Sequence, residues 1–69
     1  MPLTYKISTE YIELFKLLKA SRVVQTGGEA KMVISEGLVQ RNGEVVTQKK
    51  LKIRPGDVVL FEGEEIVVE

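Results

Sequence analysis

The chain has 69 residues, of which 43% are hydrophobic and 29% charged, with ten basic and ten acidic side chains. This length supports one domain and this composition a folded one, so a multidomain protein and a disordered chain are both excluded. Because histidine and cysteine are absent, the usual metal ligands, the commonest general base and the best nucleophile are missing, which excludes most enzyme classes. We expect a cytoplasmic protein without a cofactor, neither exported nor inserted in a membrane, since disulfides are impossible and no apolar run approaches the roughly 20 residues of a spanning helix.

The charges cancel in total but are segregated along the chain. Residues 15–54 carry nine basic side chains and three acidic ones, whereas residues 55–69 carry five acidic side chains and no basic one. A fold that gathers the basic side chains on one side would present a positive face to an anionic partner. The alternative is that they are solvated surface charges balanced for solubility. The nine basic residues are Lys16, Lys19, Arg22, Lys31, Arg41, Lys49, Lys50, Lys52 and Arg54.

The first predicted elements are a strand and a helix. Alternating apolar residues at Leu3, Tyr5 and Ile7 predict an opening strand with one buried face. Apolar residues spaced i, i+3, i+4 and i+7 then predict a helix over residues 10–20, with Thr9 as its N-cap. The apolar stripe consists of Tyr11, Leu14, Phe15 and Leu18, and the first turn contains Glu10 and Glu13.

A second helix is predicted to begin at a capping box. Thr26 and Glu29 have the S/T-x-x-E spacing in which the hydroxyl and the carboxylate each accept from an otherwise unpaired backbone N–H. The helix is about ten residues long and ends where Gly37 provides a left-handed residue. Because the link over residues 21–25 is short, the two helices should pack as a pair with a helix-turn-helix-like corner. The predicted buried residues are Ala30, Val33 and Ile34, with Lys31 and Ser35 on the solvent side.

The second half of the chain is predicted to be strands and turns. Asn42 and Gly43 between two strand-like runs, 38–41 and 44–47, predict a hairpin, since both accept the positive φ angles of a type I′ turn. In the basic run 49–54, Leu51 and Ile53 should face inwards and the four cations outwards. A turn at 55–57 then leads to strands 58–61 and 66–68, which residues 62–65 join as a turn.

Five motifs stand in a fixed order along the chain. They are Leu14-Phe15-Lys16-Leu17-Leu18-Lys19, Thr26-Gly27-Gly28-Glu29-Ala30-Lys31, Ile34-Ser35-Glu36-Gly37-Leu38-Val39, Arg41-Asn42-Gly43-Glu44 and Lys52-Ile53-Arg54-Pro55-Gly56-Asp57-Val58-Val59. In this order and spacing the sequence resembles the S-four-type RNA-binding domain, the αL motif. The Gly-Gly-Glu-Ala-Lys variant and the short length resemble the stand-alone bacterial YaaA and YbcJ group of that family. Larger members usually have Ser-Arg-Arg where Thr26-Gly27-Gly28 stands, so this chain has two cations fewer at that corner.

The resemblance implies an α+β fold in which a two-helix αL RNA-binding motif packs on a small mixed β-sheet with hairpins, as a single domain over residues 1–69. It implies non-catalytic binding of structured RNA, either ribosomal or transfer RNA, with ribosome assembly or another ribosome-associated process as the setting. Such recognition depends on phosphates, 2′-hydroxyls and RNA shape. The residues to which the resemblance assigns RNA binding are Lys16, Lys19, Arg22, Thr26, Gly28, Lys31, Arg41 and Asn42, flanked by Lys49, Lys50 and Lys52.

Two other functions compete with RNA binding. The strand-rich second half and the small size are also typical of a protein-interaction module with a ubiquitin-like or adaptor role. A sulfur carrier would need an exposed Gly-Gly end, whereas this sequence ends Ile66-Val67-Val68-Glu69, which leaves only docking. Duplex DNA binding through the helix pair ranks lowest, because the second helix offers few side chains besides Lys31 and Ser35 that could contact base edges.

Overall fold

The structure is a computed structural model that describes residues 3–69. Within this part of the chain there are two helices and seven short strands. In chain order they are β1 (Leu3–Tyr5), β2 (Ile12–Glu13), α1 (Leu14–Ala20), α2 (Gly27–Ser35), β3 (Val39–Arg41), β4 (Glu44–Val46), β5 (Lys52–Ile53), β6 (Val58–Phe61) and β7 (Glu64–Val68).

Five of the strands form one mixed sheet. Its order is β1-β7-β6-β3-β4, with β1 parallel to β7 and every other neighbouring pair antiparallel. The remaining strands, β2 and β5, form a separate antiparallel pair. The predicted α+β class with a helix pair and a small mixed sheet is therefore confirmed.

Two-residue turns connect both hairpins of the five-stranded sheet. Asn42 and Gly43 have φ angles of 52° and 89°, and Glu62 and Gly63 have φ angles of 50° and 80°. Positive φ at both central residues is typical of the type I′ turn, whose twist matches that of paired strands. The prediction for residues 42–43 is confirmed. The prediction that residues 62–65 form the second turn was too long, because two residues suffice and β7 begins at Glu64, opposite Phe61.

The first helix is shorter than predicted. It begins at Leu14 and not near residue 10, and its N-cap residue, Glu13, makes no side-chain capping bond. Thr9 is therefore not the cap; its hydroxyl donates to the Tyr11 carbonyl oxygen at 2.8 Å. Neither Glu10 nor Glu13 lies in the first turn, and Tyr11 is 40% exposed instead of buried.

Backbone pairing with a distant segment explains the late start of α1. Residues 12 and 13 pair with residues 53 and 52 as strands. The first N–H groups of a helix have no acceptor within that helix. Here the Leu14 N–H donates to the Leu51 carbonyl oxygen at 2.9 Å, and the Phe15 N–H donates to the Lys49 carbonyl oxygen at 3.0 Å. The 49–53 segment thus supplies the hydrogen bonds that a side-chain cap would otherwise make.

The capping box of α2 is confirmed. The Glu29 N–H donates to the Thr26 hydroxyl oxygen at 3.0 Å, and the Gln25 N–H donates to the Glu29 carboxylate at 3.1 Å. After the helix, Gly37 has the left-handed φ of 75° predicted for it. The predicted stripe of Ala30, Val33 and Ile34 is buried, while Lys31 and Ser35 are exposed.

A single apolar core joins the helix pair to the sheet. Each fully buried leucine, isoleucine or valine contributes about 1.5–3 kcal/mol, which is offset largely by the entropy of ordering the chain. No polar or charged side chain is buried in the described residues, so the charged groups all remain on the surface. The core residues are Leu14, Leu17, Leu18, Val24, Ala30, Val33, Ile34, Val39, Ile53, Val59, Phe61, Ile66 and Val68.

Candidate nucleic-acid interface

Three lysines gather where the two helices meet. The Lys31 ammonium of α2 lies 4.9 Å from the centroid of the Phe15 ring of α1, and the Lys16 ammonium lies 5.9 Å from the same centroid. A cation over an aromatic face is attracted by the ring quadrupole, so Phe15 holds both side chains near one another. Lys19 follows Phe15 by one helical turn on the same face of α1. We call Lys16, Lys19 and Lys31 the helix cluster.

The basic run of residues 49–52 lies directly beside this cluster. The Phe15 N–H donates to the Lys49 carbonyl oxygen at 3.0 Å, which fixes this turn against the start of α1. Lys52 pairs with Glu13 in the two-stranded ladder. The side chains of Lys49, Lys50 and Lys52 are exposed, and they extend the positive surface from the helix cluster towards the β3–β4 hairpin.

Four cations line one concave site at that hairpin. The site has a volume of about 730 Å³, and we call it the basic cavity. Its one carboxylate, Asp57, is engaged on both oxygens: Oδ1 accepts from the Asn42 amide at 3.1 Å and Oδ2 accepts from the Arg54 backbone N–H at 2.9 Å. With one anion against four cations, the cavity is suited to an anionic group. Its lining consists of Arg41, Asn42, Gln48, Lys50, Leu51, Lys52, Arg54, Pro55 and Asp57.

Most of the basic side chains have no acidic partner. In the part of the chain that the structure describes, the only ion pair joins Lys16 to Glu13 at 3.2 Å. The other eight basic residues between positions 16 and 54 have no carboxylate oxygen within 4 Å. Arg41 is also under-satisfied, because its Nε is buried and has no acceptor among the described residues. Ion pairs within the described residues therefore leave most of the positive charge of this surface unneutralised.

The acidic turn lies at the other end of strand β6. Arg41 is in register with Val59, next to the start of β6, whereas Glu62 follows Phe61 at its end. At about 3.3 Å per residue, the strand separates its two ends by about 10 Å. Glu62, Glu64 and Glu65 are exposed, so their charges face solvent away from the basic cavity.

The structure brings together most of the predicted binding residues but not all of them. The helix cluster contains Lys16, Lys19 and Lys31; the basic cavity contains Arg41, Lys50 and Lys52; and Lys49 lies between the two groups. Arg22, Thr26 and Gly28 are exposed at the link and at the start of α2. The Arg22 N–H donates to the Lys19 carbonyl oxygen at 3.1 Å, which places Arg22 next to the helix cluster. Arg22 has a left-handed φ of 65°.

Asn42 is engaged inside the protein. Its side-chain oxygen accepts from the Val58 N–H at 2.9 Å, and its amide nitrogen donates to Asp57. Both functional groups of the side chain therefore hold the β3–β4 hairpin to the start of β6. The RNA contact that the resemblance assigns to Asn42 stays a prediction.

Three residues of this surface were not among the predicted binding residues. Arg54 lines the basic cavity; it follows Lys50 and Lys52 at alternate positions, which place side chains on one side of an extended segment. That alternation was the signal for Arg54. Tyr11 and Phe15 were assigned to the buried stripe, whereas the structure places a lysine ammonium over each ring.

Other kinds of site find no support in the described residues. Both helices within residues 3–69 are too short and not apolar enough to cross a membrane. Over the same range, no three carboxylates or other metal-ligating side chains are close enough to hold a metal ion.

Residues 5–69 match the family model of the S4 domain. The protein YbcJ of Escherichia coli (strain K12) is 40% identical over 58 residues, which are 84% of this chain and 83% of YbcJ. A protein of Bacillus subtilis (strain 168), named as the probable ribosome maturation protein RlbA, is 44% identical over 57 residues, which are 83% of this chain and 80% of RlbA.

Solved structures agree with the sequence match. The solution structure of E. coli YbcJ, described as having an αL motif involved in RNA binding, gives a TM-score of 0.74 at 36% identity and covers 94% of this chain and 84% of YbcJ. The structure of a pseudouridylate synthase has a TM-score of 0.72 and 27% identity, and the match covers 81% of this chain. The structure of the 30S ribosomal protein S4e of Thermoplasma acidophilum has a TM-score of 0.63 and 26% identity, and the match covers 84% of this chain. This chain spans only 24% and 31% of those two larger proteins. The chain belongs to the S4 domain family.

Proposed function

We propose that this protein binds structured RNA through the helix cluster and the basic cavity and performs no chemistry on it. The observation that carries the proposal is the set of eight basic side chains without an acidic partner, contributed by both helices, the link between them, β3 and the 49–54 segment. An unpaired cation on a protein surface can release counterions from a phosphate backbone when it binds, which favours association. A cytoplasmic role in ribosome assembly goes with this proposal.

The shape of the surface favours folded RNA over a free strand. Its cations lie on a helix pair and in a hairpin cavity that the core holds rigidly in relation to each other. Phosphate contacts made from such fixed positions select an RNA by its shape, because the bases of an A-form helix are largely hidden from side chains. We therefore expect weak dependence on base sequence and strong dependence on RNA folding.

The relatives support this proposal and its ribosomal setting. YbcJ has an αL motif involved in RNA binding, and the name of RlbA connects it to ribosome maturation. We extend both properties to this chain because it aligns with most of the length of each protein. We do not assign the catalytic activity of the pseudouridylate synthase to this chain, because the match covers only 24% of that enzyme.

The test is binding of a fluorescently labelled ribosomal RNA fragment at several salt concentrations. If four to six phosphates are neutralised, the logarithm of the association constant should fall against the logarithm of salt with a slope of roughly −3 to −5. The variant carrying both Lys31→Glu and Arg41→Glu should lose binding while its circular dichroism spectrum stays native.

A matched control separates a local surface from a general charge effect. Lys6 is exposed and lies outside the basic segment, so Lys6→Glu makes the same change in charge as Lys31→Glu. We expect Lys6→Glu to bind RNA nearly as well as the wild type and Lys31→Glu to bind it more weakly. Equal weakening by both, or an affinity that does not change with salt, would contradict the proposal.

A further inference from the structure

An exposed aromatic ring stands beside the basic cavity. The Tyr11 side chain is 40% exposed, so part of the ring is accessible to a ligand. The Lys52 ammonium lies 5.0 Å from the centroid of this ring, and Lys52 also lines the basic cavity. Tyr11 also lines a second concave site of about 460 Å³, together with Thr9, Ile12, Glu13 and Lys16. The ring therefore lies next to a cation of each group, Lys52 of the basic cavity and Lys16 of the helix cluster.

The cations of the basic cavity are open to solvent, and one of them, Lys52, lies next to the exposed Tyr11 ring. The four cations of the cavity come from Arg41, Lys50, Lys52 and Arg54, and the buried Nε of Arg41 has no acceptor among the described residues. A base that stacks on Tyr11 while its phosphate contacts these cations must have a free face, so it lies outside a continuous helical stack.

We propose that the basic cavity and Tyr11 together bind one unpaired nucleotide that projects from helical RNA. Its phosphate lies among the four cations, and its base stacks on the Tyr11 ring, with Lys52 contacting both sites. Aromatic side chains bind unpaired bases by stacking, and this interaction tolerates any base because every base has a flat face. This inference rests on the proposed function and names the RNA feature that the surface selects.

The proposal separates the roles of the two groups of cations. The helix cluster has no exposed aromatic ring available for stacking, because Phe15 is partly buried against the core. It contacts helical phosphates, whereas the cavity and Tyr11 contact the projecting nucleotide. The chain then binds best where a paired segment is interrupted or ends.

The test uses three RNA hairpins with the same stem. One is fully paired, one carries a single-nucleotide bulge, and one carries a single unpaired nucleotide with a 5′-phosphate at its end. The wild-type protein should bind a hairpin with a projecting nucleotide about 5- to 100-fold more tightly than the paired one, since stacking on one aromatic side chain has an effect of that size. Preference for the bulge or for the strand end identifies the source of the nucleotide, and either supports the proposal. With 2-aminopurine at the projecting position, its fluorescence should fall on binding.

Two variants and one modified RNA test the role of the ring. Tyr11→Leu should abolish the preference for a projecting nucleotide, so that all three hairpins bind with similar affinity, and Tyr11→Phe should retain the preference. A projecting nucleotide without a base should lose most of the advantage, although it keeps its phosphate. Circular dichroism checks that each variant is folded.

The outcomes distinguish failure of this inference from failure of the proposed function. If the wild type binds all three hairpins equally and with a salt-dependent affinity, the nucleotide site is wrong and the proposed function stands. If Tyr11→Leu keeps the preference, the ring is not the platform and the inference is overturned. If no hairpin binds at low salt, the proposed function itself is wrong.

Discussion

Replacement of Asn42 tests whether its amide fastens the hairpin or contacts RNA. The side chain makes two hydrogen bonds, to the Val58 N–H at 2.9 Å and to Asp57 at 3.1 Å, and the residue has a φ of 52°. Asn42→Gly removes both bonds and keeps a residue that accepts positive φ. Asn42→Ala removes the same bonds and adds the steric cost of a Cβ in the left-handed region.

The structure gives a magnitude for each variant. Two hydrogen bonds at about 1 kcal/mol each predict that Asn42→Gly lowers the free energy of unfolding by about 2 kcal/mol. Asn42→Ala should lower it by about 3 kcal/mol, because left-handed backbone costs a residue with a Cβ about 1 kcal/mol more. A 69-residue chain has a total free energy of unfolding of about 3–10 kcal/mol, so these losses are a large fraction of it, and both variants are compared at about 15 °C, where stability is near its maximum.

Urea unfolding followed by circular dichroism measures these differences, and RNA binding is measured below the transition. Gln48→Ala is the control, because Gln48 lines the same cavity and its side chain makes no hydrogen bond within residues 3–69; it should change stability by less than about 0.5 kcal/mol. The reasoning is refuted if Asn42→Gly is as stable as the wild type and yet binds RNA more weakly, because the amide would then be a ligand for RNA.

Three further predictions concern the link between the helices and the start of α2. Arginine should fit at both Gly27 and Gly28, because a Cβ at position 27 would meet no atom within 4 Å and one at position 28 would meet only the Thr26 hydroxyl, at 3.9 Å. With both arginines present, RNA affinity should rise and the slope of log affinity against log salt should steepen by about one to two. Arg22→Gly should raise the free energy of unfolding by about 1 kcal/mol by relieving its positive φ, and should weaken RNA binding if the guanidinium contacts phosphate. Thr26→Ala should lower the free energy of unfolding by about 1 kcal/mol through loss of the cap, with no change in salt slope. Urea unfolding and salt titrations of binding check all three.

Features encoded by neighbouring residues could be predicted from the sequence. The type I′ turn needs only two residues that accept positive φ, and Asn42 and Gly43 supply them. The capping box needs a hydroxyl and a carboxylate three positions apart, and Thr26 and Glu29 supply those. Because each of these signals lies within one turn of the backbone, the rest of the fold does not have to be known.

Features that depend on distant pairing could not be predicted in this way. The periodicity from Tyr11 to Leu18 is compatible with a helix throughout, but residues 12 and 13 pair with residues 53 and 52. Nothing near residue 12 in the sequence indicates that partner. The exposure of Tyr11 follows directly from this pairing, because the residue leaves the helical stripe that would have buried it.

The site was predicted in composition but not in arrangement. Counting charges identified the basic residues, since charged residues seldom lie wholly in a core, and none of those in residues 3–69 does. The charge count could not show that Arg41 and residues 50–54 line one cavity. Their proximity depends on the register of β3 against β6 and on the turn before β6. The charge count also could not show that Asn42 is already engaged by Asp57.

The location of positive charge differs from the pattern that the larger family members suggest. Those members usually have two arginines at the start of the second helix, where this chain has Gly27 and Gly28. Here the same corner offers only the helix N-terminus and the hydroxyl of Thr26, which already accepts from Glu29. Four cations instead surround the basic cavity, against one carboxylate that is fully hydrogen-bonded. We therefore expect anion recognition in this chain to depend more on the cavity than on the start of α2, and an RNA that leaves the cavity empty to lose contact with four of the nine basic residues between positions 15 and 54.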